Sequence, residues 1–146
     1  MSRDERGQTT VLIVGFAVVL MMTVAVVVDV SAAYLQRQGL DNLADGAALA
    51  GADAGAQGED VYAGGLGQER LALFEAEARR GVDDYLALTG ARAAYPGLGR
   101  IVEVDPATRS VRVEISAPLD LPLTIPGAPE RATVSASGAA AVSPDD

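Results

Sequence analysis

Apolar and polar positions repeat with three different periods along this chain. From Val11 to Val28 only Gly15 and Thr23 interrupt a continuous hydrophobic run, and no charge falls between Thr9 and Val28. A bilayer's hydrocarbon core needs about 20 mostly apolar residues at a rise of about 1.5 Å each. Residues 9–28 supply that length. The many Val residues do not count against a helix, because a lone segment in lipid can satisfy its backbone only by helix formation. Past Val28 no turn signal intervenes. Leu40, Leu43, Ala44, Ala47, Ala48 and Gly51 recur at helical spacing, with Asp41, Asp45 and Asp53 off that face. Residues 29–54 are therefore read as an amphipathic continuation of the membrane helix. Gly39 and Gly46 each cost about 1 kcal/mol against Ala in a helix. They are read as tolerated, the alternatives being a bend or a close approach of another backbone.

Residues 54–67 are Gly-rich and read as a loop; their Gly64-Gly65 pair lacks the Lys-Ser/Thr that a phosphate loop requires. A second helix is predicted over Gln68–Leu88, with Leu71, Phe74, Ala78, Val82, Tyr85 and Leu86 on one face and Gly90 at its C-terminal cap. Glu75 and Arg79 form an (i, i+4) pair on it. Glu69, Glu77, Asp83 and Asp84 are read as its solvated face, not as a metal site.

From Arg100 the period becomes two. Val102 and Val104 alternate with Glu103 and Asp105, then Val111, Val113 and Ile115 with Arg112 and Glu114. Asp105-Pro106-Ala107-Thr108-Arg109-Ser110 between them is turn chemistry, which predicts a hairpin. Prolines 118, 122, 126 and 129 predict an extended linker. A third strand follows over about Ala132–Ala140, with Val134, Ala136 and Gly138 on one face. The expected fold class is α+β: a long N-terminal transmembrane and amphipathic helix, a second helix and a small antiparallel sheet. The expected organisation is a cytoplasmic N-terminus at 1–8, a transmembrane helix at 9–28 and its amphipathic continuation at 29–54. A small extracytoplasmic domain at 55–142 and a disordered tail at 143–146 follow. The apolar faces of residues 40–51 and of the sheet each need a cover, and packing one on the other supplies both.

Composition narrows what this layout can do. The net charge is -9, and nine Arg face eighteen Asp and Glu after residue 28, so nucleic acid is not an expected partner. There is no Lys, the mark of codon bias in a GC-rich genome such as an actinobacterium's. The absence of Cys excludes disulfides and thiolate chemistry, and the absence of His removes the commonest general base and metal ligand. The acid pairs Glu59-Asp60 and Asp83-Asp84 are adjacent in sequence and have no aromatic platform for a sugar. The chain is thus read as not an enzyme, with no cofactor, no metal and no small-molecule substrate.

Arg3 and Arg6 precede the apolar run, and the next Arg is Arg37. Basic residues stay on the cytoplasmic side, which places the N-terminus inside and the rest outside a cell membrane crossed once. The rival reading is a secreted or cell-surface binding protein released by signal peptidase after Ala32, since Val30-Ser31-Ala32 has small residues suited to cleavage. Retention is preferred, because a signal peptide's apolar region spans about 7–15 residues. Asp29, at the outer end of the run, is the residue singled out for contact with a partner subunit; the plainer reading is that it ends the span at the headgroups.

The first 54 residues resemble the N-terminal region of TadG-like and TadE-like proteins of Flp (Tad) pilus assembly. The resemblance is carried by Arg6-Gly7, the apolar run and Val28-Asp29-Val30. It continues through Tyr34-Leu35-Gln36-Arg37-Gln38, Leu40-Asp41-Asn42-Leu43-Ala44-Asp45 and the small residues from Gly46 to Ala52. It implies a membrane-anchored, minor-pilin-like component of a pilus or secretion apparatus, with a pilin-like layout. Its partners would be the lipid bilayer and other membrane proteins of the assembly. Prepilin-type proteins are cut after a Gly and carry Glu five residues into the mature chain. Cutting between Gly7 and Gln8 would put Leu12 at that position, so the chain is expected to stay uncut.

Overall fold

A computed structural model of the chain describes residues 4–61, 67–119 and 132–142. Helix α1 runs Asp4–Val61, α2 Gly67–Leu88 and the single turn α3 Ala91–Ala94. Strands β1 (Gly99–Asp105), β2 (Ser110–Pro118) and β3 (Thr133–Ala141) follow. This is the expected α+β layout. Two compact units divide it. One contains α1 as far as Leu35, and the other contains the chain from Gln36 to Leu119 together with β3.

In the second unit the strands form one antiparallel sheet in the order β1-β2-β3. Val102 pairs with Val113 and Val104 with Val111, while Ile115 pairs with Ala136 and Val113 with Gly138. The period-two pattern therefore stacks Val102, Val104, Val111, Val113, Ile115 and Ala136 on one face, while Ile101 pairs with Glu114 on the other and is exposed. Val111, Val113 and Ile115 are fully buried on the first face. The hairpin turn is built by Asp105, whose carboxylate accepts the backbone N–H of Ala107 at 3.0 Å and of Thr108 at 3.4 Å. The Thr108 hydroxyl, then these backbone donors, hold the exposed Asp105 carboxyl below its usual value of 3.8. Arg109 takes a left-handed φ of 49° at the turn's end, a conformation with a steric cost for a residue with Cβ. The Leu119 N–H donates to the Ala132 carbonyl at 2.7 Å, joining the two ends of the β2–β3 connection.

The helices cover the sheet's apolar face. Leu40, Ala44, Ala47 and Ala48 of α1 and Phe74, Ala78 and Val82 of α2 are fully buried in one cluster with the strand residues. Packing between the residue 40–51 face and the sheet is thus present, with α2 added to the same core. α1 and α2 run antiparallel, matching Gly46 to Tyr85, Gly51 to Ala78 and Val82, and Gly55 to Phe74. At Gly138 of β3 an added Cβ would stand 2.5 Å from the backbone of Ala44 and Asp45, so strand and helix backbones touch there. Arg79 fixes α2 to β1 by donating to the Val102 carbonyl at 2.9 Å, and Arg100 pairs with Asp83. The Glu75–Arg79 pair forms at 3.0 Å.

Three expectations need correction. The Gly-rich stretch from Ala54 is not a loop at its start: α1 continues to Val61, because Phe74 packs on Gly55 and Leu73 and Glu77 on Gly58. Residues 62–66, with Gly64-Gly65, lie outside the described residues. Gly39 and Gly46 are not merely tolerated, since a methyl on either would overlap the hydroxyl of Tyr95 or Tyr85 respectively. What approaches them is a tyrosine ring and not a second backbone. Leu71, placed on the buried face of α2, is 39% exposed. Gly90 does cap α2, at a left-handed φ of 64°. Most of the proline-rich linker and all of the 143–146 tail lie outside the described residues.

Candidate functional site: the apolar helix and Asp29

Among the described residues, the segment of α1 before Leu35 leaves its large apolar side chains uncovered. Phe16, Met21, Leu12 and Val11 are each two-thirds or more exposed, and every large apolar side chain from Val11 to Val28 is at least 41% exposed. A water-soluble helix buries one stripe; this one exposes apolar groups all round. Gly15 has no atom near the position of an added Cβ, so it serves no close packing. The helix is long and apolar enough to cross a membrane, and its most apolar stretch is unburied.

Its polar groups are satisfied from within. The Thr23 hydroxyl donates to the Val19 carbonyl at 2.9 Å and the Ser31 hydroxyl to the Val27 carbonyl at 2.7 Å. Such back-bonding needs no water, which a bilayer core does not supply.

Asp29 differs from its neighbours. It is 7% exposed, against 41% for Val28 and 64% for Val30. It is the only buried charged residue among those described. Burial of an acid requires compensation by hydrogen bonds or an opposite charge. The prepilin-type cleavage position between Gly7 and Gln8, expected to stay uncut, lies at the far end of the same helix: both are helical and Gln8 is exposed. Twenty-two residues separate Gly7 from Asp29, roughly 33 Å at about 1.5 Å per residue, so the fold does not bring the two sites together.

Sequence reasoning missed a recess of about 370 Å³ in the second unit. It is lined by Arg37 and Asp41 of α1, Glu103, Arg112 and Glu114 of β1 and β2, and Ser135 and Ser137 of β3. The cross-strand pairing of Glu103 with Arg112 puts both signs there, and with neither His nor Cys in the chain the serines have no ordinary activating base. Of the acids on α2, Asp83 pairs with Arg100 and Glu77 with Arg80 at 2.7 Å. Among the described residues no group of three metal-binding side chains converges.

Comparison with known families gives one match. Residues 7–54 match the Tad family of Flp pilus-assembly TadE/G-like proteins. The match covers about a third of the chain, beginning at Gly7 and ending about five turns inside the packed half of α1. No protein of curated function and no solved structure matches the chain.

Proposed function

We propose that this chain is a membrane-anchored structural or accessory component of a Flp (Tad) pilus assembly or related secretion apparatus, with a minor-pilin-like role. The observation that carries the reading is where the family match falls. Residues 7–54 comprise the apolar helix, Asp29 and the small-residue face that packs on the sheet. A single helix thus joins a lipid-compatible half to a folded half.

In this reading the N-terminus is cytoplasmic, which the position of Arg3 and Arg6 supports, and the α+β unit is outside. The chain remains uncut at Gly7, and Asp29, the candidate partner contact, reaches a cation of a neighbouring membrane subunit only when that subunit replaces what buries it here. The partners are the bilayer and other membrane proteins of the assembly. The test is fractionation followed by intact-mass analysis. Full-length protein in the membrane fraction supports the proposal, and loss of residues 1–7 removes the claim of an uncut anchor. Protein in the medium starting at Ala33 establishes the second reading instead. That reading draws on one structural fact: the second compact unit begins at Gln36, so a cut after Ala32 would leave it whole. For Asp29, co-purification of neighbouring subunits is expected to fall at least tenfold on Asp29→Ala. Unchanged recovery removes the partner contact.

A further inference from the structure

The apolar surface of α1 does not stop at Val28. Val30 is 64% exposed, Tyr34 67% and Leu35 65%. Between Arg6 and Arg37 the chain has one charged residue, Asp29, and that residue is buried. Ser31 is exposed, yet its hydroxyl is bonded to its own helix and asks nothing of water. At the other end the first residues of the run, Gln8-Thr9-Thr10, are polar. A span of 9–28 would place two threonines in the acyl layer while leaving Val30, Tyr34 and Leu35 in water.

We infer that the bilayer's acyl layer covers Val11–Ala32, with Tyr34 and Leu35 at the outer headgroup level, so that Asp29 lies below the membrane surface. This rests on the membrane-anchored reading above and moves its frame outward. Val11–Ala32 is 22 residues, about 33 Å at 1.5 Å each, which spans an acyl layer of about 30 Å with a modest tilt. Gln8–Thr10 then fall in the inner interface. Tyr34 takes the position where aromatic residues with a polar tip concentrate, ring against acyl chains and hydroxyl among headgroups. The occupant of this surface is phospholipid, because the exposed groups continue the spanning segment without a break and include no charge. Asp29 is compatible with that depth because its side chain is withdrawn from the surface that its neighbours present to lipid.

The chain contains neither Cys nor Trp, so single reporters can be placed without a background. Full-length Val19→Cys, Val30→Cys, Ser31→Cys and Gln38→Cys variants in phospholipid vesicles would be treated with a membrane-impermeant maleimide from the outer side. Positions 30 and 31 are exposed in the fold, so protection there reports lipid. Labelling at 30 and 31 at least tenfold slower than at 38 is expected, and labelling at the rate of 38 would overturn the inference. Position 19 separates the two levels of the reading. If it is protected while 30 and 31 react, the anchor stands and only the outward frame fails; if it reacts too, the anchor itself fails. A Tyr34→Trp variant is expected to be quenched at least twofold by lipid brominated near the acyl carbonyl and unaffected by iodide. Quenching by iodide as strong as for free tryptophan would contradict its placement.

Discussion

The two halves of α1, one apolar throughout and one amphipathic, are both free of proline and helical for different reasons. Before Leu35 the side chains are large and exposed, and the glycine at 15 faces open space. After Gln36 the side chains on the inner face are small and buried, and the glycines at 39, 46, 51, 55 and 58 each face another side chain or backbone. A protein interior rewards Gly and Ala because they let backbones close to contact distance. A bilayer rewards bulk, because every added methylene is covered by lipid whichever way it points. Residue size along one helix thus records what covers it.

The chain's two phenylalanines give the sharpest version of that contrast. Phe74 is fully buried against Gly55, and Phe16 is 68% exposed. Truncating Phe74 to Ala should destabilise the folded unit by about 3–5 kcal/mol, as for a large aromatic lost from a core. Phe16→Ala should leave it within about 0.5 kcal/mol, the range for substitutions away from packed features. Denaturant titration of the micelle-solubilised protein, read by near-ultraviolet tyrosine signals, compares them directly. Equal effects would erase the distinction. A charge inverts the order: Val19→Arg should cost about 2.5–3.5 kcal/mol of membrane insertion. Flotation with vesicles measures that loss, and the unfolding midpoint of the α+β unit should not move.

Glycine substitutions test the same contrast at the backbone. Gly138→Ala puts a methyl 2.5–2.6 Å from the Ala44 and Asp45 backbone and should destabilise by about 1–3 kcal/mol, the usual cost of overpacking. Gly15→Ala meets nothing and should be neutral or slightly stabilising by unfolding midpoint.

The smallest effect concerns the hairpin turn. Asp105's carboxyl is held below 3.8 in the fold, so its contribution is present above the unfolded value and fades as pH falls through the folded one. Asp105→Asn should flatten that acid-side dependence slightly, as followed by unfolding midpoint between pH 5 and pH 2 at intervals of about one unit.

Much of this was readable from the sequence because period and burial coincide. The alternation at Val102–Val104 and Val111–Ile115 gave the hairpin, and the spacing from Leu40 to Gly51 gave the buried face of α1. What local pattern could not supply was tertiary compensation. Gly55 and Gly58 look like a loop by propensity, yet Phe74, Leu73 and Glu77 pack on them and the helix continues to Val61. Gly39 and Gly46 carry the same lesson, since the tyrosines that fill their space lie about 40–55 residues away in sequence. The candidate membrane anchor was readable in its apolar length. The burial of Asp29 was not, because one buried acid among exposed apolar residues has no periodic signature.

The central claim is that lipid covers one half of α1 and the protein's own core covers the other. Spin labels at single cysteines along residues 11–58, in vesicles, test it most directly by accessibility to oxygen and to a water-soluble nickel chelate. From 11 to 28 every position should be open to oxygen and closed to nickel. From 40 to 55 accessibility to nickel should oscillate with a period of about 3.6 residues. A nickel-accessible stripe within 11–28, or uniform oxygen accessibility across 40–55, would contradict the account.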